Sequence, residues 1–147
     1  MIESGIEIKP LTKEIVTNNI SALIEMSRQI RNDYWGLDNY LAELDRKWEL
    51  SSAAYCGGVI CGFIIVSAKP QSLHVNRIVV SDQFQRAGIG RMFIEKAMAD
   101  TQAENKDQLT LKVDALNEGV IAFYKNLNFE QVGTQDDLLL MSLKVNV

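Results

Sequence analysis

Residues 73–94, Leu-His-Val-Asn-Arg-Ile-Val-Val-Ser-Asp-Gln-Phe-Gln-Arg-Ala-Gly-Ile-Gly-Arg-Met-Phe-Ile, change their hydrophobic period halfway along. From 73 to 80 β-branched residues dominate, which predicts a strand. From Ile89 onward, Met92, Phe93 and Ala97 follow at helical spacing, with Arg91, Glu95 and Lys96 mostly on the other side. Between the two lies Gln85-Arg86-Ala87-Gly88-Ile89-Gly90, so the unit is strand, short glycine-bearing loop, helix. The first turn of a helix has main-chain N–H groups without intrahelical acceptors, and the positive end of the helix dipole lies there. Gly88 and Gly90 withhold the Cβ atoms that would keep a ligand off that backbone. The expected guest is an anion, a pyrophosphate above all.

Three glycine-loop signatures compete for this unit. A P-loop requires Lys followed by Ser or Thr directly after its second glycine, where this chain has Arg91-Met92. A dinucleotide-binding turn requires a third glycine where Phe93 stands. The remaining pattern, Q/R-x-x-G-x-G/A, resembles the coenzyme A pyrophosphate loop of the GNAT superfamily of N-acetyltransferases. A second block, residues 111–129, is similar to another pattern of that family: a strand ends, Asn117 begins a helix, Tyr124 follows seven residues later and Asn128-Phe129 closes it. Val120 stands where an alanine is usual, and Asn128 replaces the closing glycine; Asn tolerates the left-handed conformation needed there.

The resemblance implies an α/β fold, with a central twisted, mostly antiparallel mixed sheet of six to seven strands and about four helices. It implies acetyl-CoA as co-substrate, no metal, and transfer of acetyl to a primary amine of a small molecule or peptide. It also assigns roles residue by residue. Main-chain N–H groups of Gln85, Arg86, Ala87, Gly88, Ile89, Gly90 and Arg91 would hold the pyrophosphate, with Arg86, Arg91 and Lys125 near the phosphates. Ile78, Val79 and Val80, where the strand bulges and parts from its neighbour, would present N–H groups to the thioester carbonyl. Asn117 would reach the pantetheine amide, and Tyr124 would protonate the leaving thiolate. Residue chemistry alone leaves alternatives open: Asn117 as a helix cap, Tyr124 as a core tyrosine, the arginines as solvated charges.

Attack on a thioester requires a neutral amine. A lysine-like ammonium of pKa ~10.4 is disfavoured as free base at pH 7 by about 4.6 kcal/mol, so a base is useful. His74 is the single histidine, and an unperturbed pKa of ~6.5 suits the task. If strand alternation is unbroken it shares a face with Asn76, Ile78 and Val80. As a packing histidine it would leave the proton to water held by Asn76 or a main-chain carbonyl. Tyr34, Trp35, Tyr40 and Trp48, with Asp33, Asp38, Glu43 and Asp45, form an aromatic and acidic segment suited to an amine cation, or to a core.

Working outward, a strand over 5–9 ends at Pro10, and an apolar stripe after Thr12 predicts a helix running toward Ile30. Asp38 caps a second helix carrying Tyr40, Leu41, Leu44 and Trp48. A hairpin joins 53–56 to 59–67 through Gly57-Gly58. Further strands are expected over 109–113, 129–133 and 138–145, with a helix opening at Asn117. In the two-residue turn, Cys56 faces Val59 and Cys61 faces Ala54. The thiols then lie diagonally, which disfavours a disulfide, and two cysteines are too few for a metal site.

At 147 residues with 47% apolar and 23% charged, the chain fits one domain, 1–147. A net charge of −4 argues against a nucleic-acid partner. No apolar run approaches the ~20 residues of a membrane helix. The first five residues lack a basic leader followed by an apolar stretch, so the cytoplasm is the default compartment. A homodimer is left open. The alternatives to an N-acetyltransferase are an acyl-CoA-binding sensor without catalysis and, more distantly, a nucleotide enzyme.

Overall fold

A computed structural model describes residues 5–31 and 33–145. Seven strands form one sheet in the order β1-β2-β3-β4-β5-β7-β6. They are β1 (Ile6–Pro10), β2 (Ser52–Cys56), β3 (Val59–Ala68), β4 (Ser72–Val80), β5 (Gln108–Asp114), β6 (Glu130–Gln135) and β7 (Leu138–Lys144). Every pairing is antiparallel except β4 with β5, which run parallel. A parallel pair needs a crossover, and the helix α5 (Ile89–Ala103) supplies it. The mixed, mostly antiparallel α/β sheet that the family resemblance implies is therefore present.

Among the described residues six α-helices stand where about four were expected, because two of the expected helices break. The first divides at Asn19 into α1 (Lys13–Asn18) and α2 (Ile20–Met26). There the Asn19 amide donates back to Ile15 O, a local competitor to the helix ladder. The second divides into α3 (Leu37–Leu41) and α4 (Lys47–Leu50). The buried Lys47 ammonium donates to the carbonyls of Tyr40 and Ala42, which satisfies the end of α3 from below. Gly36, not Asp38, stands at the N-cap of α3, and its N–H donates to Asn39 Oδ1 in the first turn.

Apolar residues fill both faces of the sheet. One core joins Leu73, Val75, Leu109, Leu111 and Val113 to α5 and to α6 (Glu118–Asn126); the other joins Phe63, Ile65 and Val79 to the N-terminal helices. Two bulges decide which side chains face which core. In β4, Ile65 pairs with Arg77 and Val66 with Val75, so Asn76 is an extra residue. Alternation is thereby broken. Ile78 and Val80 pack on the α5 side, while Arg77 and Val79 face the N-terminal layer with His74. His74 consequently does not share a face with Ile78 and Val80, contrary to the expectation from unbroken alternation. In the β2–β3 hairpin Tyr55 pairs with Ile60 and Ala54 with Gly62, so Cys61 is the extra residue and does not face Ala54. Among the described residues no helix is long and apolar enough to cross a membrane.

Candidate active site

β4 and β5 pair over only four positions, from Ser72 with Gln108 to Val75 with Leu111, and then diverge. The wedge between them is a cavity of about 480 Å³. Residues 76–80 of β4 form one wall, and Lys112, Val113 and Asp114 of β5 the other. Asn117, Val120 and Tyr124 of α6 border it, as do Gln29, Ile30, Arg31, Asp33 and Tyr34 after α2 and Asp137 and Leu138 at the β6–β7 turn.

Strand geometry fixes which main-chain groups reach the wedge. Ser81 N–H donates to Cys61 O at 2.8 Å, and Val79 and Arg77 continue that same register against Phe63 and Ile65. Residues between them point the other way, so Ile78 and Val80 direct their N–H and C=O groups away from β3 and into the opening. Val80 O is reached there by Gln29 Nε2 at 3.0 Å and Gln85 Nε2 at 3.2 Å. Val79 lies in the same stretch but turns its main chain to β3.

The glycine loop follows directly. Arg86 and Gly88 both adopt left-handed backbone, φ 70° and 86°, and α5 begins at Ile89. Ala87 N–H reaches Phe84 O at 3.4 Å and Met92 N–H closes the first helical turn on Gly88 O. The N–H groups of Arg86, Gly88, Ile89, Gly90 and Arg91 have no main-chain acceptor among the described residues. Left-handed residues interleaved with helical ones form a concavity of amides, and this one opens on a helix N-terminus, so it fits a diphosphate. Gly90 has a second reason to be glycine: a Cβ there would lie 3.4 Å from the Phe123 ring of α6. Arg91 pairs with Glu95 at 3.5 Å, both exposed. Gln85 turns its side chain inward, to Gln29 and Asp82 as well as Val80.

Tyr124 sits on the inward face of α6, 3% exposed, with edge-on contacts to Phe123 and Phe129. Its hydroxyl has no hydrogen-bond partner among the described residues although it borders the wedge. Burial pushes its pKa up, so it is a phenol throughout the physiological range. Asn117 borders the wedge and caps α6, its Oδ1 accepting from Val120 N–H at 3.1 Å. Both readings of Asn117 are compatible, since its amide nitrogen is not used by the cap.

His74 is placed elsewhere. Its Nδ1 meets Thr110 Oγ1 at 2.8 Å across the β4–β5 pairing, and it does not line the wedge. Burial, then Lys69 and Lys112, lower its pKa to about 4. Of the aromatic and acidic segment only Asp33 and Tyr34 reach the opening. Tyr40 is fully buried beneath Arg77, and Trp48 donates to Glu43 away from it.

Three basic side chains of the wedge were not singled out from the sequence. Arg77, stacked 4.2 Å from the Trp35 ring, grips Asp33 at 2.6 Å and holds its carboxyl below the usual range. Arg31 spans the mouth to Asp114 through two hydrogen bonds of 2.8 and 3.0 Å, which hold Asp114 down to about 2. Lys112 donates to Gln135 Oε1 at 2.9 Å and has no carboxylate partner among the described residues. Alternation along β5 puts Thr110, Lys112 and Asp114 on one face, which is the signal that was available. The Arg31–Asp114 link joins residues 83 apart and leaves no local trace.

Known proteins share this architecture. A probable N-acetyltransferase of Drosophila melanogaster, san, is 26% identical over 141 residues, covering 92% of this chain and 74% of that protein. The ribosomal-protein-S18-alanine N-acetyltransferase of Escherichia coli superposes with a TM-score of 0.81 at 20% identity, over 97% of this chain and 95% of the other. PaiA N-acetyltransferase of Thermoplasma acidophilum, solved in complex with coenzyme A, gives 0.80 at 19% identity, over 95% and 98%. At such identities the structures show a common fold. The model of the acetyltransferase (GNAT) family matches residues 20–129, most of the chain including the glycine loop, Tyr124 and most of the wedge, and the chain therefore belongs to that family.

Proposed function

We propose that this protein moves the acetyl group of acetyl-CoA to a primary amine of a small molecule or peptide, by direct attack within a ternary complex. One observation supports this most: the free amides of Arg86 and of residues 88–91 follow closely on a strand whose Ile78 and Val80 main-chain groups open into the wedge. Bound coenzyme supplies an activated thioester. The amides of Gly88, Ile89, Gly90 and Arg91 hold its diphosphate, and Ile78 and Val80 pair with its amide-bearing arm as an added strand would. An N–H from that edge faces the carbonyl oxygen as charge develops. Tyr124, protonated and unpartnered, gives its proton to the departing sulfur and regains one, through water, from the attacking nitrogen.

The amine enters between Tyr34 and Leu138, past the Arg31–Asp114 link. Asp33 and Asp114 are committed to arginines and are poor bases. His74 ties β4 to β5 and titrates too low to hold the proton. We assign the relay to water on Asn76, whose Oδ1 is held by Ser67 at 2.8 Å. The Lys112 ammonium assists, since a like charge nearby favours the neutral amine.

Calorimetry with acetyl-CoA tests the first half, and absence of binding at millimolar ligand removes it. Amine-dependent thiol release across a panel of small amines and N-terminal peptides tests the second. Binding without release from any amine would favour a sensor.

A further inference from the structure

We propose that Cys56 and Cys61 form a reversible intramolecular disulfide that couples oxidation to the coenzyme loop. The bulge at Cys61 brings the two Sγ atoms to 2.9 Å, where regular hairpin register would have left them diagonal. That is about 0.9 Å beyond the ~2.05 Å of a bonded pair, so closure needs little movement. Gly57 and Gly58, both at positive φ, let the turn between the strands adjust. Cys56 is partly exposed and Cys61 fully buried, so an oxidant meets Cys56 first. Burial next to Cys56 keeps Cys61 a thiol, raised to about 12.

The oxidant is a hydroperoxide. Cys56 attacks the distal peroxide oxygen, the O–O bond breaks, and an alcohol or water leaves with Cys56 as sulfenic acid. Cys61 sulfur then attacks the Cys56 sulfur. The S–S bond forms, the S–O bond breaks, and the hydroxyl departs as water with the Cys61 proton. A thiol reductant reverses the step by exchange.

The pair is wired to the loop by contacts with no slack. Cys61 O accepts the Ser81 N–H at the end of β4, four residues before Gln85. The neighbouring Gly62 leaves so little room that a Cβ there would lie 2.9 Å from Val79 O and 3.5 Å from Ile89 in the first turn of α5. Any displacement of the Cys61 main chain is thus passed to both ends of the anion-binding segment. The predicted change in coenzyme affinity rests on the function proposed above; the disulfide itself does not.

The test treats the full chain with hydrogen peroxide, blocks remaining thiols and weighs the intact protein. The expected product is a monomer about 2 Da lighter with both cysteines protected, restored by a phosphine reductant. Cys56→Ser abolishes this, and its unchanged melting temperature shows that the fold is kept. The oxidised protein should bind acetyl-CoA about fivefold differently from the reduced, at the lower end of ordinary coupling. Two alkylatable thiols, an intermolecular dimer or stable sulfinic acid would overturn the disulfide. A disulfide with unchanged acetyl-CoA affinity would overturn the coupling. If reduced protein binds no acetyl-CoA, the coenzyme reading fails separately, and amide hydrogen exchange over residues 81–91 decides the coupling, unchanged exchange on oxidation overturning it.

Discussion

Replacing Tyr124 with phenylalanine removes one oxygen and keeps the ring that packs on Phe123 and Phe129. Because that hydroxyl has no protein partner, the fold loses no hydrogen bond, and stability should change by under about 1 kcal/mol. Catalysis should change more. A thiol of pKa ~8.5 expelled as its anion at pH 7 stands ~1.5 units, about 2 kcal/mol, above the protonated form, which is roughly a 30-fold loss in kcat. The loss should shrink above pH ~8.5, where the thiolate is the stable product in any case. Thiol release with the best amine of the panel, at pH 7 and at pH 9, measures both limbs, with acetyl-CoA affinity as the control. A variant within twofold of the native rate at pH 7, or one equally impaired at both pH values, would refute the assignment of proton donor.

His74→Asn should flatten the acid limb of the stability curve. The folded pKa of about 4 lies below the ordinary 6.5, so the unfolded chain binds the proton more tightly; stability is full above pH 6.5 and falls toward pH 4. The shift sets a ceiling of about 3 kcal/mol, nearer 1–2 kcal/mol once solvent screening of a partly exposed ring is allowed. Urea midpoints at pH 7 and 4.5 check it, and the depressed Asp33 and Asp114 act only further down, below 3.8. Gly88→Ala, at φ 86° with open space around it, should cost about 1–2 kcal/mol from backbone strain alone and weaken acetyl-CoA in calorimetry; Gly88→Asn should cost less. Lys112→Met should move the ascending limb of the kcat profile, where the bound amine loses its proton, upward by ~0.5–1 unit, while Lys112→Arg should leave it in place.

The strand-loop-helix unit was legible because its information is local: β-branched residues, two glycines and a helical stripe lie within residues 73–97. That Tyr124 and Asn117 would border one opening was legible through their spacing. What escaped was non-local. The bulge at Asn76 is one unpaired residue set by register against β3, and it alone moves His74 away from the face of Ile78 and Val80. The bulge at Cys61 escaped in the same way and turned a diagonal cysteine pair into a contact. Tyr40 and Trp48 are aromatics near carboxylates in the sequence, yet Lys47 between them is buried against carbonyls, which makes residues 40–48 scaffold while Asp33 and Tyr34 form wall.

The sheet's two halves are stitched together by four residue pairs between β4 and β5, fewer than the five to seven of every other pairing. That short seam is the natural line of breathing for the whole molecule. A ligand lying in the gap would act as a zip, bridging the lobe of β1 to β4 and the lobe of β5 to β7. Saturating coenzyme should therefore slow opening of both lobes together, including amides on β7 that it never touches.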